Sequence, residues 1–362
     1  MNSRQRTLAI LDRRPVDRPP VDLWYTPEIY DKLLDHSGCP DEVAMWAKLR
    51  IDKIAWLSPI YNGPLPPIDP GTDHMTPWGC PMRRVQGGAA GHLEYMAPPL
   101  AEIEDPSELE SWPCWPDPEA FDLAPLFARM EALDGRFATL GPCVSLFEIY
   151  AALRGLENAL ADLITLPELV DAALDRIESV QSRLLDRVYT EGLVRPDLVF
   201  ISDRMGSQNS LLMSPDCWDR HLRHRLSRWT RTAHSHGVRV FYHSDGAIAP
   251  LIPRLLSVGV DVISPMQRGL PGMGLDQLAA QYGRKIIFHG GIDTQRVLQL
   301  GTPDDVREEV RLCLSFLGRG YLPCSCGNIQ AGTPIDNILA MIATIHEPRP
   351  IRKIFTMEAL SS

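Results

Sequence analysis

From about Asp197 to the end of the chain the sequence repeats one rhythm, and that rhythm constrains the fold more than any other feature: a short β-branched run, a polar or Gly-rich turn, then a longer segment of helical period. Strands are expected at 198–202, 238–243, 260–264, 285–289 and 321–324, with helices at 215–236, 249–257, 275–282, 303–317 and 334–346. Ser214-Pro215, Thr302-Pro303 and Thr333-Pro334 each put an N-cap hydroxyl before a proline at the first helical position, where a missing N–H costs nothing. Upstream, 137–141 reads as another strand and 157–189 as two helices parted near Pro167. An open doubly wound sheet would carry a G-x-G-x-x-G fingerprint at its first βα turn, and none is present. The expected fold class is therefore α/β, a (β/α)8 TIM barrel, with an N-terminal extension and a hairpin insertion over the barrel mouth.

The first third lacks this rhythm and is rich in Pro and aromatic residues. Two extended runs, 81–86 and 92–96, flank Gly87-Gly88-Ala89-Ala90-Gly91, which reads as a hairpin with a flexible loop. Residues 102–122, with Trp112, Pro113, Trp115 and Pro116, read as a connector with rigid turns. One domain is expected over 1–362, with about 1–125 as extension and hairpin and about 126–350 as the main βα units. A net charge of -10 argues against a nucleic-acid backbone or an anionic membrane and in favour of a small-molecule substrate. Neither a signal-type apolar region nor an uninterrupted apolar stretch of about eighteen residues is present, so a soluble cytoplasmic protein is expected. The eight scattered cysteines are expected to be mostly free thiols.

In a barrel of this kind the C-terminal strand ends converge, so residues distant in sequence meet there. Read in order, those ends offer Asp203 with Arg204, His243 with Asp245, Gln267, His289 with Asp293, and Cys324 with Cys326 and Asn328; Glu148 is a further candidate. His243 and Asp245, two apart, point to one side of a strand end, and a later sulfur from Cys326 could complete a ligand set. Imidazole with thiolate suits zinc. Plainer readings stand beside these. His243-Ser244-Asp245 also suits a hydrogen-bonded polar cluster, Cys324 and Cys326 suit buried thiols, His289 suits a ring bonded to a loop carbonyl, and Asp203 and Asp293 suit turn caps. His221, His224, His234 and His236 lie on or just after an Arg-rich helix and read as a solvated face.

The run Tyr242-His243-Ser244-Asp245-Gly246, continuing through Gly259-Val260-Asp261-Val262-Ile263-Ser264-Pro265 to Gln267, resembles the uroporphyrinogen decarboxylase superfamily. So do Phe288-His289-Gly290-Gly291-Ile292-Asp293-Thr294-Gln295, Gly301-Thr302-Pro303, Asn328-Ile329-Gln330, Pro15-Val16-Asp17-Arg18-Pro19 and Gly141-Pro142-Cys143-Val144-Ser145-Leu146-Phe147-Glu148. The resemblance implies a (β/α)8 fold and one of two activities, cofactor-free porphyrin decarboxylation or corrinoid-linked methyl transfer. The decarboxylases carry an M-R-Q-A-G-R signature where this chain has Val21-Asp22-Leu23-Trp24-Tyr25-Thr26-Pro27-Glu28, so the likeness is to the methyltransferase branch. That branch binds zinc through H-x-C and a later Cys. His243 matches the first ligand and Cys326 the last, while Asp245 departs from the middle one.

The resemblance thus implies a methyltransferase acting between a small methylated substrate (methoxylated aromatic, methylamine or methylthiol) and a corrinoid supplied in trans by a partner protein. Its implied metal ligands are His243, Asp245 and Cys326, with Cys324 as the alternative sulfur. Asp203, His289 and Glu148 are the expected catalytic residues, and Trp24, Arg204, Gln267, Asp293 and Asn328 the expected substrate contacts. Two alternatives remain open: a cofactor-independent decarboxylase or lyase of an acidic aromatic, with Arg204 or Arg268 holding the carboxylate, and a non-catalytic small-molecule binding protein.

Overall fold

A computed structural model describes residues 1–85 and 92–347. Seven strands lie side by side in one sheet, in the order Ala55–Trp56, Thr139–Val144, Leu198–Ser202, Arg239–His243, Val262–Met266, Ile287–Ile292 and Tyr321–Ser325. Every neighbouring pair is parallel. The sheet curls until residues 21–25 span its two edges. Asp22 N donates to Pro323 O at 3.1 Å on the last strand, and Asp52 N donates to Val21 O at 2.6 Å on the approach to the first. Tyr25 makes a parallel bridge with Ile329. The architecture is α/β and TIM-like.

Because the strands are buried on both faces, their side chains sort by alternation. Leu198 and Phe200 join Ile54, Leu140, Phe241, Val262, Ile287 and Leu322 in a cluster that fills the barrel interior. Val199, Ile201, Val240, Tyr242 and Ile263 belong instead to the larger core between sheet and helices. Ile10 and Leu11, from the helix Ser3–Leu11, also enter the interior cluster. Arg4 of that helix bonds Arg136 O and Asp197, both just before strands, so the helix stoppers the N-terminal end of the barrel and leaves the opposite end for chemistry.

The first third contributes more than an extension. Residues 21–25 and Ala55–Trp56 are wall segments, illegible as strands because they are short and interrupted by Asp22, Asp52 and Lys53. The expected hairpin forms from Pro81–Val85 and His92–Tyr95, antiparallel, with Met82 opposite Tyr95 and Arg84 opposite Leu93; its loop, 86–91, lies outside the described residues. The Ser214 and Thr302 caps form as expected, accepting from Cys217 N and Asp305 N. Thr333 does not cap. The last described helix, Ile335–Ile345, starts one residue later than expected, with Pro334 at the cap position. The long helix expected at 215–236 is two helices, Pro215–His221 and Arg223–Ser235. The Arg225 guanidinium takes the His221 carbonyl, which an uninterrupted helix would have given to a backbone amide. His221 is fully buried against Asp171 at 2.9 Å, so it is not part of a solvated face.

Candidate functional site

At the C-terminal strand ends the interior aromatic stack surfaces. Trp24 stacks on His243, with ring centroids 5.5 Å apart and 28° between planes, and tilts against Trp56 at 5.3 Å. Phe200 meets His243 at 5.5 Å and Trp56 edge-on at 4.6 Å. The strand ending at His243 turns sharply after it. Ser244 N donates to Ser264 O at 2.8 Å and Ser244 Oγ accepts from Met205 N at 2.9 Å, tying three adjacent strand ends together. Gly246 has φ +91°, and a Cβ there would stand 2.5 Å from Gly206 C. Only glycine permits this crossing of the two loops, which fixes Asp245 beside His243. Asp245 Oδ2 lies 3.7 Å from His243 Nε2, and His243 first, with Arg204 further away, holds the carboxyl below its ordinary range. Gln267 braces the same turn by accepting from Gly246 N at 3.0 Å.

Beside this pair, Glu148 accepts from Ser202 Oγ at 3.0 Å and lies 3.5 Å from Arg204 Nε. Asp203 sits behind it, fully enclosed. One of its oxygens accepts from Ser145 Oγ and from the Leu146 and Glu148 amides at the start of the helix Phe147–Arg154. It thus caps the helix that carries Glu148 rather than facing the opening. Burial first, and the Glu148 charge after it, push Asp203 up to about 7. The sign follows directly: below about pH 4 the folded and unfolded chains both hold this proton, and between about 4 and 7 only the folded chain does. Stability should therefore fall with pH through that window, approaching about 1.4 kcal/mol per pH unit, and level off above it. Asp203→Asn, which keeps the acceptor, should flatten this slope in denaturation curves taken from pH 4 to 8.

A second polar group lies deeper in the barrel. Asp22, His289 and Cys324, all fully buried, bring their ligand atoms within 4.8 Å of one another, close enough to hold a metal ion, and are the one such group among the described residues. Asp22 Oδ1 accepts from Leu23 N at 2.9 Å, Ile54 N at 3.1 Å and Lys53 Nζ at 3.2 Å; Oδ2 accepts from Trp24 Nε1 and His289 Nε2, both at 3.0 Å. His289 Nδ1 meets Ser264 Oγ at 2.9 Å. Burial pushes Asp22 up, but Lys53 foremost and then His289 bring it down to about 2. Burial also lowers His289, the stronger influence despite Asp22. Sequence reasoning missed Asp22, Lys53, Trp56 and Ser264. A usable signal was present in the charges that break otherwise apolar runs, Asp22 in 21–24 and Asp52 with Lys53 in 51–56.

The structure does not bring His243, Asp245 and Cys326 together as one ligand set. Cys326 Sγ donates to Met266 O at 3.1 Å and accepts from Gly291 N at 3.2 Å. His243 and Asp245 alone are one ligand short of a catalytic zinc site. Nor do the residues fit zinc at the deeper group, where five donors, one of them the Lys53 ammonium, already claim both carboxylate oxygens. Cys324 belongs to that deeper group and not to the mouth. Asp293 accepts from Gln295 N and Arg296 N and so caps its own turn, while Asn328 is exposed just beyond the last strand. All eight cysteines are free.

A TIM-like wall stoppered at one end and polar at the other defines a barrel protein with a candidate site at the C-terminal strand ends. Residues 97–348 match the family model of uroporphyrinogen decarboxylase (URO-D), and the chain belongs to that family. Among solved structures it is similar to a methyltransferase from Methanosarcina mazei, with TM-score 0.64 and 19% identity over 95% of this chain and 98% of that one. It is also similar to a B12-independent methionine synthase from Shewanella sp. W3-18-1, with TM-score 0.34 and 11% identity over 58% of this chain and 60% of that one. No curated protein matches its sequence. Among the described residues no helix is long and apolar enough to cross a membrane.

Proposed function

We propose that the protein is a methyltransferase that moves a methyl group between a small methylated substrate and a corrinoid carried by a partner protein. One observation carries this reading over the decarboxylase: the two arginines that would hold a substrate carboxylate already answer carboxylates of the chain. Arg204 lies 3.5 Å from Glu148, and Arg268 forms a two-point pair with the buried Glu309. The mouth instead offers aromatic surface with an imidazole–carboxylate pair. The fold shared with the Methanosarcina mazei methyltransferase supports the same reading.

The corrinoid supplies the cobalt centre that gives or takes the methyl group. The chain's own residues bind and orient the substrate: Trp24 forms the floor, His243 and Asp245 contact the heteroatom that bears the methyl group, and Glu148 with Arg204 lines one side. In this reading the hairpin, with Tyr95 at the end of its second strand, covers this space. Zinc assistance is not part of this reading, because neither donor set accommodates the ion.

The test is anaerobic incubation of the purified protein with free cob(I)alamin and one representative of each methylated class, followed by corrinoid absorbance and product analysis. Methylated cobalamin should accumulate with one class, in step with demethylated product. Release of carbon dioxide from an aromatic acid with no corrinoid methylation would overturn the reading, as would saturable binding without turnover. Treatment with a strong chelator should leave the rate unchanged, and a loss restored by zinc would return a metal to the His243–Asp245 pair.

A further inference from the structure

Charge and aromatic surface at the mouth discriminate among methylated substrates. Trp56 is pinned edge-on by Phe200 and tilted against Trp24, yet 38% of it stays exposed. Tyr95, on the hairpin strand His92–Tyr95, is 48% exposed and feels the charges of Glu148 and Arg204. The carboxylates of Glu148 and Asp245 remain partly open, with side chains 24% and 50% exposed, and Arg204, 3.5 Å from Glu148, is set against both of them. Two carboxylates thus face one guanidinium at the mouth.

An anionic methoxyarene would be repelled here, and a neutral one would gain nothing from the carboxylates. A methylated ammonium ion meets both features. Its charge is spread over methyl groups that are weakly hydrated, and an aromatic face attracts it most strongly where water is excluded. We propose, resting on the methyl-transfer reading above, that the substrate is an N-methylated ammonium cation held against Trp56 and Tyr95 with its charge toward Glu148 and Asp245. The chemistry agrees with the missing zinc ligand. When the N–CH3 bond breaks, its electron pair stays on nitrogen and the amine leaves neutral. The new bond to the methyl carbon takes its pair from the reduced cobalt of the partner's corrinoid. The leaving group needs no Lewis acid to carry its charge.

Calorimetric titration of the full-length protein with tetramethylammonium chloride, anisole and sodium 4-methoxybenzoate, at fixed ionic strength, tests this. Tetramethylammonium should bind saturably and at least about tenfold more tightly than the other two. Trp56→Leu and Glu148→Gln should each weaken it about tenfold in variants that circular dichroism shows to be folded. Equal or tighter binding of anisole or methoxybenzoate overturns the proposal, as does tetramethylammonium binding that is absent or indifferent to both substitutions. Tight tetramethylammonium binding without methylation of cob(I)alamin would leave the inference standing and sink the methyl-transfer reading instead.

Discussion

Asp22→Ala is expected to cost ~3–5 kcal/mol of folding stability, the largest effect of any single substitution at the candidate site. The carboxylate is enclosed and takes five hydrogen bonds from five other residues, on both edges of the closing wall segment. Its removal strands the Lys53 ammonium, itself buried, with only Leu23 O at 2.6 Å, and frees the Trp24 indole N–H and the His289 ring. Most of the loss comes from the unpaired cation rather than from the pair's own attraction. Asp22→Ala combined with Lys53→Met should therefore recover a large part of it, and a double-mutant cycle in chemical denaturation measures how much. A loss below about 1 kcal/mol for Asp22→Ala, or no recovery in the double variant, would contradict a charge balanced by Lys53. The pH dependence has the opposite sign to that of Asp203. Because Asp22 is held down at about 2, its contribution is complete above about pH 4 and is lost as pH falls through about 2.

The same residue marks the limit of what the sequence reveals. The strands from Leu198 onward are legible because burial on both faces demands continuous apolar runs, and their helices announce themselves through Ser214 and Thr302. The strand ends then follow from barrel geometry, and there the structure pairs Glu148 with Arg204 and His243 with Asp245. Two things do not follow. The wall at 21–25 has no run to read, because three of the five donors that satisfy its charged residue, Lys53, Ile54 and His289, lie more than thirty positions away. And alternation gives the side of a strand but not the depth. His243 and His289 both end apolar runs, yet one opens onto the mouth and the other lies a layer lower among Asp22, Ser264 and Phe241. Spacing cannot show that the Cys326 thiol is occupied by the Met266 carbonyl, since that bond depends on how the Gly290–Gly291 backbone, with φ of +102° and +93°, folds past it.

This difference in depth predicts that the two histidines fail in opposite ways. His243→Ala should lower kcat/KM for methyl transfer by about 100-fold or more, ~2.7 kcal/mol of transition-state stabilisation, in a protein that still folds. Its ring is partly open at the mouth, its Nε2 faces only Asp245, and its buried Nδ1 has no partner among the described residues. The ring packs on Trp24 and Phe200, but its loss strands no sealed polar partner. His289→Ala should cost ~2–3 kcal/mol of stability, because Ser264 and one Asp22 oxygen lose a partner in a sealed interior. Once folded it should retain kcat/KM to within about tenfold. Trp24 makes the contrast interpretable: its ring lies 5.5 Å from His243 and 5.3 Å from His289, so it separates the two while touching both. In the proposed function His289 would act on the substrate only by helping Asp22 hold that indole, as a positioning residue whose loss should raise KM more than it lowers kcat. A His289 variant that folds normally but is as inactive as His243→Ala would place the chemistry a layer deeper, at Asp22 and Cys324.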